Sequence, residues 1–286
     1  MTGVVSEPSG IPSPAQLARA AEDAAYAKAT GRPAASFLLG LTAGGYIALA
    51  FVFYTTSQVG AEALPWGVAK VLGGVVFSTG LMLVVLTGAE LFTSSTLTLT
   101  ARASGRITWG QLLRNWGVVY VANFLGALTV VALVYVGGTW HAADGGWGRV
   151  VLDTALGKVS HSFVEAVVLG VLCNLMVCVA VWAAYSGRAT TDKVVALSLP
   201  IALFVSAGFE HSVANMFLVP LALLVKHGAR ADFWASTGAS PGDYVALTWD
   251  AFLVGNLLPV TLGNIVGGGV MVGLMYWTIF RRPGRS

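Results

Sequence analysis

The stretch Ala207-Gly-Phe-Glu-His-Ser-Val-Ala-Asn215 interrupts a hydrophobic run that extends over about residues 194–225. A membrane helix needs about 20 apolar residues, so this run is longer than one crossing requires. A Glu, a His and an Asn at membrane depth are tolerated only where protein or a wet cavity surrounds them. We therefore predict a break in a membrane helix, with His211 at the functional site.

The composition places this break in a membrane protein. Of the 286 residues, 56% are hydrophobic and only 10% are charged, whereas soluble domains carry about 25% charged residues. Several apolar runs are long enough to cross a bilayer, so we predict an all-α, multi-pass membrane protein. The 35 glycines suit close packing between membrane helices. The net charge of +3 is small, and we expect no nucleic-acid partner.

Six membrane spans are predicted, and the second, like the fifth, is broken by polar residues, here at 88–95. The approximate spans are 33–57, 69–100, 109–136, 159–185, 194–225 and 244–280. Three regions follow: an N-terminal region 1–32 with an amphipathic helix over 11–29, a pore domain 33–280, and a basic tail 281–286. Residues 137–157 and 226–243 are predicted to be loops.

The orientation follows from the basic residues. With both termini in the cytoplasm, most of the 16 Lys and Arg residues lie on the cytoplasmic side, as the positive-inside rule requires. Short echoes relate the two halves of the chain: Gly88-Ala-Glu90 matches Gly208-Phe-Glu210, and Asn123 matches Asn264. Three spans in each half give inverted repeats, in which broken helices meet near the middle of the membrane.

Several motifs closely resemble the formate/nitrite transporter family, and within it the formate channels. They are Gly88-Ala-Glu-Leu-Phe-Thr-Ser94, Trp109-Gly-Gln-Leu-Leu-Arg-Asn-Trp116, Cys173-Asn-Leu-Met-Val-Cys178, Gly208-Phe-Glu-His-Ser-Val-Ala-Asn-Met216 and Pro259-Val-Thr-Leu-Gly-Asn-Ile-Val-Gly267. The resemblance covers nearly the whole chain. It implies an aquaporin-like fold of six spans with helices 2 and 5 broken, in a homopentamer with one pore in each protomer.

The resemblance also implies roles for particular residues. Thr93 is expected to be the hydrogen-bond partner of His211, and Lys158 and Asn174 to draw the anion in from outside. Apolar constrictions are expected at Phe77, Leu81, Leu91, Val177 and Phe204. The N-terminal helix resembles a cytoplasmic gate and a docking element for the formate-producing glycyl-radical enzyme. The expected location is the bacterial inner membrane.

The residue types inside the break suggest different roles for His211, Glu210 and Asn215. Histidine changes charge near physiological pH, so His211 is the candidate proton donor or relay. Glu210 and Asn215 complete the predicted pore set, although for Glu210 and for Glu90 we favour capping of loop backbone amides. Asn123 and Asn264 are expected to form hydrogen bonds between helices. Lys158, placed at the start of span 4, either attracts anions or simply extends to the membrane surface.

The predicted function is a formate channel with proton-linked passage. Lys158 would concentrate the anion, and a dry constriction would favour the neutral acid. Nitrite, hydrosulfide or short carboxylates remain alternative substrates, as does a neutral solute in an aquaporin-like channel, although the paired Asn-Pro-Ala motifs are absent. The four histidines are scattered, so we expect neither an enzyme, nor a metal site, nor a cofactor. They are His141, His161, His211 and His227.

Overall fold

The structure is a computed structural model that describes residues 10–282. Residues 1–9 of the predicted N-terminal region and residues 283–286 of the predicted basic tail lie outside this range. Within the described residues the chain contains helices and turns and no strand. The predicted all-α class is therefore confirmed for this part of the chain.

Eleven helical segments make up the fold, and several short 3₁₀ turns join them. In chain order they are α1 (Pro14–Thr30), α2 (Pro33–Gln58), α3 (Trp66–Thr87), α4 (92–103, in three short pieces), α5 (Trp109–Val136), α6 (Gly146–Val159), α7 (Phe163–Ala184), α8 (Thr190–Ser206), α9 (Ser212–Gly228), α10 (Ala231–Thr237) and α11 (Ala251–Phe280). Much of α11 has the wide turns of a π-helix.

Five helices are long and apolar enough to cross a membrane, namely α2, α3, α5, α7 and α11. A sixth crossing is counted only when α9 and α10, which bend by 113° at their junction, are taken together. The predicted fifth span is divided into two helices, α8 and α9, of 17 residues each. Each of these two is too short to pass as a span of about 20 residues alone.

Three boundaries differ from the sequence predictions. The predicted loop 137–157 contains most of α6, because Trp147, Val151 and Leu152 form a buried apolar stripe at helical spacing. Lys158 therefore lies in the last turn of α6 and not at the start of the fourth span. The predicted loop 226–243 likewise contains α10. The last span begins at Ala251 rather than at residue 244, which lies in a 3₁₀ turn.

Both predicted breaks are present, and they share one geometry. Gly88 and Gly208 have φ values of 75° and 77°, the left-handed conformation that ends a helix at low cost for glycine. In each case the next residue donates its backbone N–H to a carbonyl in the last turn, Ala89 to Val84 and Phe209 to Phe204, both at 3.0 Å. The chain then runs extended for a few residues before the next helix starts.

The predicted N-terminal helix is confirmed as α1, which begins at the predicted cap Ser13. The Ser13 hydroxyl accepts from the Gln16 backbone N–H, and the Gln16 side chain accepts from the Ser13 N–H, forming a capping box. A buried alanine face packs α1 against the rest of the protein. Glu22, buried at 2% side-chain exposure, pairs with Arg106 at 3.1 Å and with Arg281 at 2.8 Å.

Glycine allows the spans to approach closely in both halves of the chain. A Cβ atom placed on Gly44 in α2 would lie 2.0 Å from the Asn123 carbonyl oxygen in α5. In the second half, a Cβ on Gly263 in α11 would lie 2.1 Å from the Val167 carbonyl oxygen in α7. These backbone contacts bring Asn123 and Asn264 next to the two breaks.

We predict that Gly44→Ala and Gly45→Ala behave oppositely although the two glycines are neighbours. Gly44→Ala forces α2 away from α5 and should destabilise the protein by about 1–3 kcal/mol or more. A Cβ on Gly45 meets only a methyl group of Val130 at 3.8 Å, so that variant should match the wild type. The measurement is the fraction of purified protein that stays monodisperse in detergent after graded heating. Equal stability of the two variants would contradict the close α2–α5 contact.

Candidate functional site

One buried asparagine, Asn264, forms hydrogen bonds with the backbone of the second break. The Asn264 side chain accepts from the Ser212 backbone N–H at 3.0 Å, and its amide donates to the carbonyl oxygens of Gly170 at 2.8 Å and Glu210 at 3.0 Å. A broken helix leaves backbone groups without partners, and these are costly when buried. Asn264 supplies partners for the break and ties it to α7.

The first break is held by Asn123 in the same way. Its side chain accepts from the Phe92 N–H at 2.8 Å and donates to the carbonyl oxygens of Gly40 at 2.8 Å and Glu90 at 2.9 Å. Backbone bonds add to the match, because Glu90 N–H donates to Leu39 and Glu210 N–H donates to Leu169. The hydrogen bonds between helices predicted for Asn123 and Asn264 are therefore present, and the two breaks have the same construction.

His211 lies at the point where the two breaks meet, in contact with Thr93. The His211 Nε2 atom is 3.1 Å from the Thr93 hydroxyl oxygen, and Nδ1 accepts from the Ala214 backbone N–H at 3.1 Å. Because Nδ1 is an acceptor, the proton of the neutral ring lies on Nε2, which donates to Thr93. The Thr93 oxygen is thereby an acceptor, and its own hydroxyl hydrogen is available to another group. Thr93 is therefore the hydrogen-bond partner that the sequence predicts for His211.

Glu210 is the centre of a polar cluster beside His211. Its buried carboxylate accepts from Lys158 Nζ at 2.6 Å, from Asn215 Nδ2 at 2.7 Å and from Asn256 Nδ2 at 3.1 Å. His161 Nε2 lies 3.6 Å from the same carboxylate. The expected capping of loop backbone amides by this side chain is wrong, because the carboxylate accepts from side chains instead. The carboxylate instead gathers a cation and two amides from neighbouring elements.

Lys158 points into the protein and towards the break. Besides Glu210, its ammonium group donates to the carbonyl oxygens of Gly208 and Phe209, both at 3.3 Å. Its side chain is 17% exposed, so the alternative in which it extends to the membrane surface does not hold. Lys158 therefore binds two backbone carbonyl groups of the break between α8 and α9.

A second lysine, Lys28 in α1, occupies the corresponding position at the first break. Asn115 Nδ2 donates to the Lys28 carbonyl at 3.3 Å and to the Glu90 carboxylate at 3.1 Å, just as Asn256 Nδ2 donates to the Lys158 carbonyl at 2.8 Å and to Glu210. Lys28 Nζ donates to Ser94 at 3.4 Å. Burial lowers the pKa of the Lys28 ammonium, and the Glu90 charge opposes that shift.

Two cavities lie beside the two breaks, one containing Gly208 and His211 and the other Gly88 and Ala89. The larger one, the Lys158 cavity, has a volume of about 480 Å³ and is lined by Phe51, Tyr54, Lys70, Phe77, Asp153, Thr154, Gly157, Lys158, His161, Phe204, Val205, Gly208, Phe209, His211, Ala214 and Asn215. The smaller one, the Lys28 cavity, has a volume of about 180 Å³ and is lined by Lys28, Val84, Val85, Gly88, Ala89, Ser94, Val181, Ala184, Tyr185 and Lys193. Each cavity therefore contains the lysine of the adjacent break.

A narrow apolar gap adjoins the Lys158 cavity, with which it shares Phe77, Phe204 and His211. It measures only about 10 Å³ and is lined by Ile47, Phe77, Leu81, Leu91, Val177, Ile201, Phe204 and His211. The five residues predicted as constrictions therefore come together around His211. Ile47 and Ile201 join them, and the sequence analysis missed both because apolar residues in a long apolar helix give no distinguishing pattern.

Asn174 lies elsewhere than expected. It was expected to help draw an anion in from outside, yet it is fully buried and lines neither cavity. Its amide donates to the carbonyl oxygens of Thr93 at 3.0 Å and Asn264 at 2.6 Å. The expectation is corrected: Asn174 connects Thr93 at the first break to Asn264, which holds the second.

The comparisons with known proteins agree on one family. Residues 15–278 match the family described as Formate/nitrite transporter. The chain is 51% identical over 269 residues to the formate channel FocA of Escherichia coli (strain K12), covering 94% of each chain. It is 40% identical over 268 residues to the formate channel FocB of the same organism, covering 94% of this chain and 95% of that one. A solved structure of a pentameric formate channel with formate bound is 50% identical with a TM-score of 0.83, covering 87% of this chain and 98% of that one.

We predict that Asn264→Ala destabilises the protein more than a hydroxyl deletion at the surface does. The substitution leaves the Ser212 N–H and two carbonyl groups without their partner, at about 1–3 kcal/mol for each buried group. The measurement is the apparent midpoint of thermal unfolding in detergent. The control is Thr129→Ala, which removes an exposed hydroxyl that bonds only within its own helix. An Asn264→Ala midpoint equal to that of the control would refute the role of Asn264.

Proposed function

The chain belongs to the formate/nitrite transporter family, and we propose that it is a channel for formate and related small monovalent anions. It is a multi-pass membrane protein, and we place it in a bacterial cytoplasmic membrane with both termini in the cytoplasm. The observation that carries the proposal is His211, which contacts Thr93 and lines both the Lys158 cavity and a narrow apolar gap beside it.

We propose six crossings in two inverted halves of three spans. The matched bonds of Asn123 and Asn264 support this arrangement, since each holds a break in the middle span of its own half. The distribution of Lys and Arg supports an orientation with the Lys158 cavity on the outside and the Lys28 cavity on the cytoplasmic side. A similar structure is described as pentameric, and we extend that assembly, with one pore in each protomer, to this chain.

The proposed passage has two steps: the anion is attracted into a cavity, and it then becomes the neutral acid in the gap. A bare carboxylate that leaves water for an apolar gap loses several kcal/mol of solvation free energy. The charged groups of each cavity, Lys28 in one and the cluster around Lys158 in the other, together raise the local concentration of anions. Inside the gap, desolvation disfavours the charged form of the substrate, so the neutral acid becomes the species that crosses. Phe77 and Phe204 supply the water-free walls that this step needs.

Thr93 and His211 are the polar groups that meet the substrate in the gap. The Thr93 hydroxyl hydrogen is free to donate to a carboxylate oxygen, because His211 supplies the bond that the Thr93 oxygen accepts. An imidazolium carries N–H on both nitrogens, so protonation of His211 would turn its bond with the Ala214 N–H into a contact between two donors. We propose that His211 rests in its neutral form and that acidification changes passage by breaking this bond.

The N-terminal helix is proposed as the cytoplasmic gate. It carries Lys28 into the inner cavity, and its pairing of Glu22 with Arg106 and Arg281 holds it there. Displacement of α1 would remove a positive charge from the pore entrance and open the cavity to the cytoplasm. We also propose that this helix docks the glycyl-radical enzyme that produces formate, so that supply and export would be coupled.

Other small anions are the competing substrates, because one His, one Thr and two lysines discriminate weakly between monovalent anions. We predict that proteoliposomes containing the protein take up formate faster than nitrite, hydrosulfide or acetate at each of two pH values. The gap of about 10 Å³ should disfavour acetate most strongly because of its extra methyl group. Faster nitrite or hydrosulfide flux would retain the family and fold and refute formate as the preferred substrate.

We predict that His211→Asn changes the pH dependence of formate flux, because an imidazole can take up a proton as the pH falls and an amide cannot. Asparagine can still accept from the Ala214 N–H but does not titrate. The measurement is initial flux against pH in proteoliposomes, with His227→Gln, a histidine outside both cavities, as the control. A flux–pH profile identical to that of the wild type would exclude a proton-linked role for His211.

A further inference from the structure

The Lys158 cavity, on the proposed outer side, contains a second histidine, His161, that the mechanism above does not use. We propose that His161 is the substrate-attracting residue whose protonation gives the outer mouth its net positive charge, so that acid outside increases capture of the anion. The inference rests on the proposed function and orientation. It concerns capture at the mouth and not passage through the gap at His211.

Lys158 alone does not supply that charge. An ammonium group has three N–H donors, and all three have acceptors here: the carbonyl oxygens of Gly208 and Phe209, and Glu210 Oε1. The Glu210 carboxylate, 2.6 Å away, also balances the lysine charge. An anion entering the cavity therefore meets a neutral pair with no unused ammonium donor.

His161 shares its acceptor with Lys158. Its Nε2 atom lies 3.6 Å from Glu210 Oε1, the same oxygen that Lys158 contacts. The residue lies in the short turn between α6 and α7, and its side chain is 31% exposed while it lines the cavity. Protonation of His161 adds one positive charge to the pair and offers Glu210 a second cation, which releases a Lys158 donor towards an incoming anion.

The other charged groups around the cavity do not cancel the positive charge that His161 gains on protonation. Asp153 lines the cavity, but it pairs with Arg149 at 3.5 Å and accepts from Tyr244 at 2.6 Å. Lys70 adds a constant positive charge at the rim, and Glu165, on the first turn of α7, adds a constant negative one. The titratable groups that line the cavity beside the pair are Tyr54, whose phenol stays neutral in the pH range of histidine, the partly exposed His161 and the buried His211.

The two halves also differ at the position of His161. The interval between Lys28 and Lys158 in the sequence also separates Leu39 from Leu169, whose carbonyls accept equivalent bonds. The same interval places Gly31 opposite His161. At the inner break the Glu90 carboxylate accepts from Ser36 and Asn115 and has no imidazole beside it. A histidine charge is thus present at the outer mouth, which makes capture there sensitive to external pH.

The experiment measures formate uptake into proteoliposomes at about pH 5.5 and pH 7.5 outside, on either side of the ordinary histidine range, with the internal pH held constant. The variants are His161→Gln, which cannot be charged, and His161→Lys, which is always charged at these pH values. The control is His227→Gln, an exposed histidine outside the cavity. Each KM is compared with the wild-type value at the same pH, so the changing fraction of formic acid affects all proteins equally.

At the acid pH, His161→Gln should raise KM about threefold to tenfold relative to wild type, as expected for the loss of one partly screened charge near the substrate. At the higher pH its KM should match the wild type, and kcat should change little at both. His161→Lys should match the wild type at acid pH and have the lower KM at the higher pH. The His227→Gln control should match the wild type throughout.

Two results would overturn the inference. One is a His161→Gln protein with wild-type KM at both pH values; the other, decisive if that variant fails to fold, is a His161→Lys protein with the wild-type dependence of KM on external pH. Absence of formate flux in the wild type would refute the proposed function instead, so the two failures are distinguishable.

Discussion

The backbone polar groups of a broken helix must find partners when the break lies at membrane depth, since no water is available there. Asn123 and Asn264 meet this requirement, each accepting from the first N–H of the new helix and donating to two carbonyl groups. The breaks persist because these side chains are buried, and the asparagines reach them because glycines let the spans touch. Without these bonds Thr93 and His211 would not meet.

The two breaks have the same backbone hydrogen bonds, but their lysines contact different groups. Each break has a lysine, a glutamate and an amide, yet the first places Ser94 next to Lys28 whereas the second joins Lys158 directly to Glu210. Lys28 is carried by α1, which ion pairs attach to the rest of the protein. Lys158 belongs to α6. Two breaks of the same construction therefore differ in their charges, since the first has its lysine on the N-terminal helix and the second has its lysine in an ion pair with its own glutamate.

Patterns in the sequence predicted the breaks, the third span and the capped N-terminal helix, because polar groups inside apolar runs and a Ser-Pro start have strong physical causes. Helix α6 was missed because glycines precede it and its apolar stripe is short. Lys28 was missed because a charged residue on an amphipathic helix resembles a solvated one. The positions of Asn174 and the Glu210 carboxylate depend on contacts between distant segments, which local spacing does not reveal. The proposed six crossings and the pore roles of the site residues stay predictions.

The central claim is that the substrate crosses the gap between Thr93 and His211 as the neutral acid. Its most direct test records formate uptake and internal pH together in proteoliposomes with the membrane potential clamped to zero, after subtraction of uptake by protein-free liposomes. The account predicts that a proton enters with each formate, so the interior acidifies in step with uptake and no current flows. A formate current without matching acidification would show that the charged anion crosses and would contradict the account.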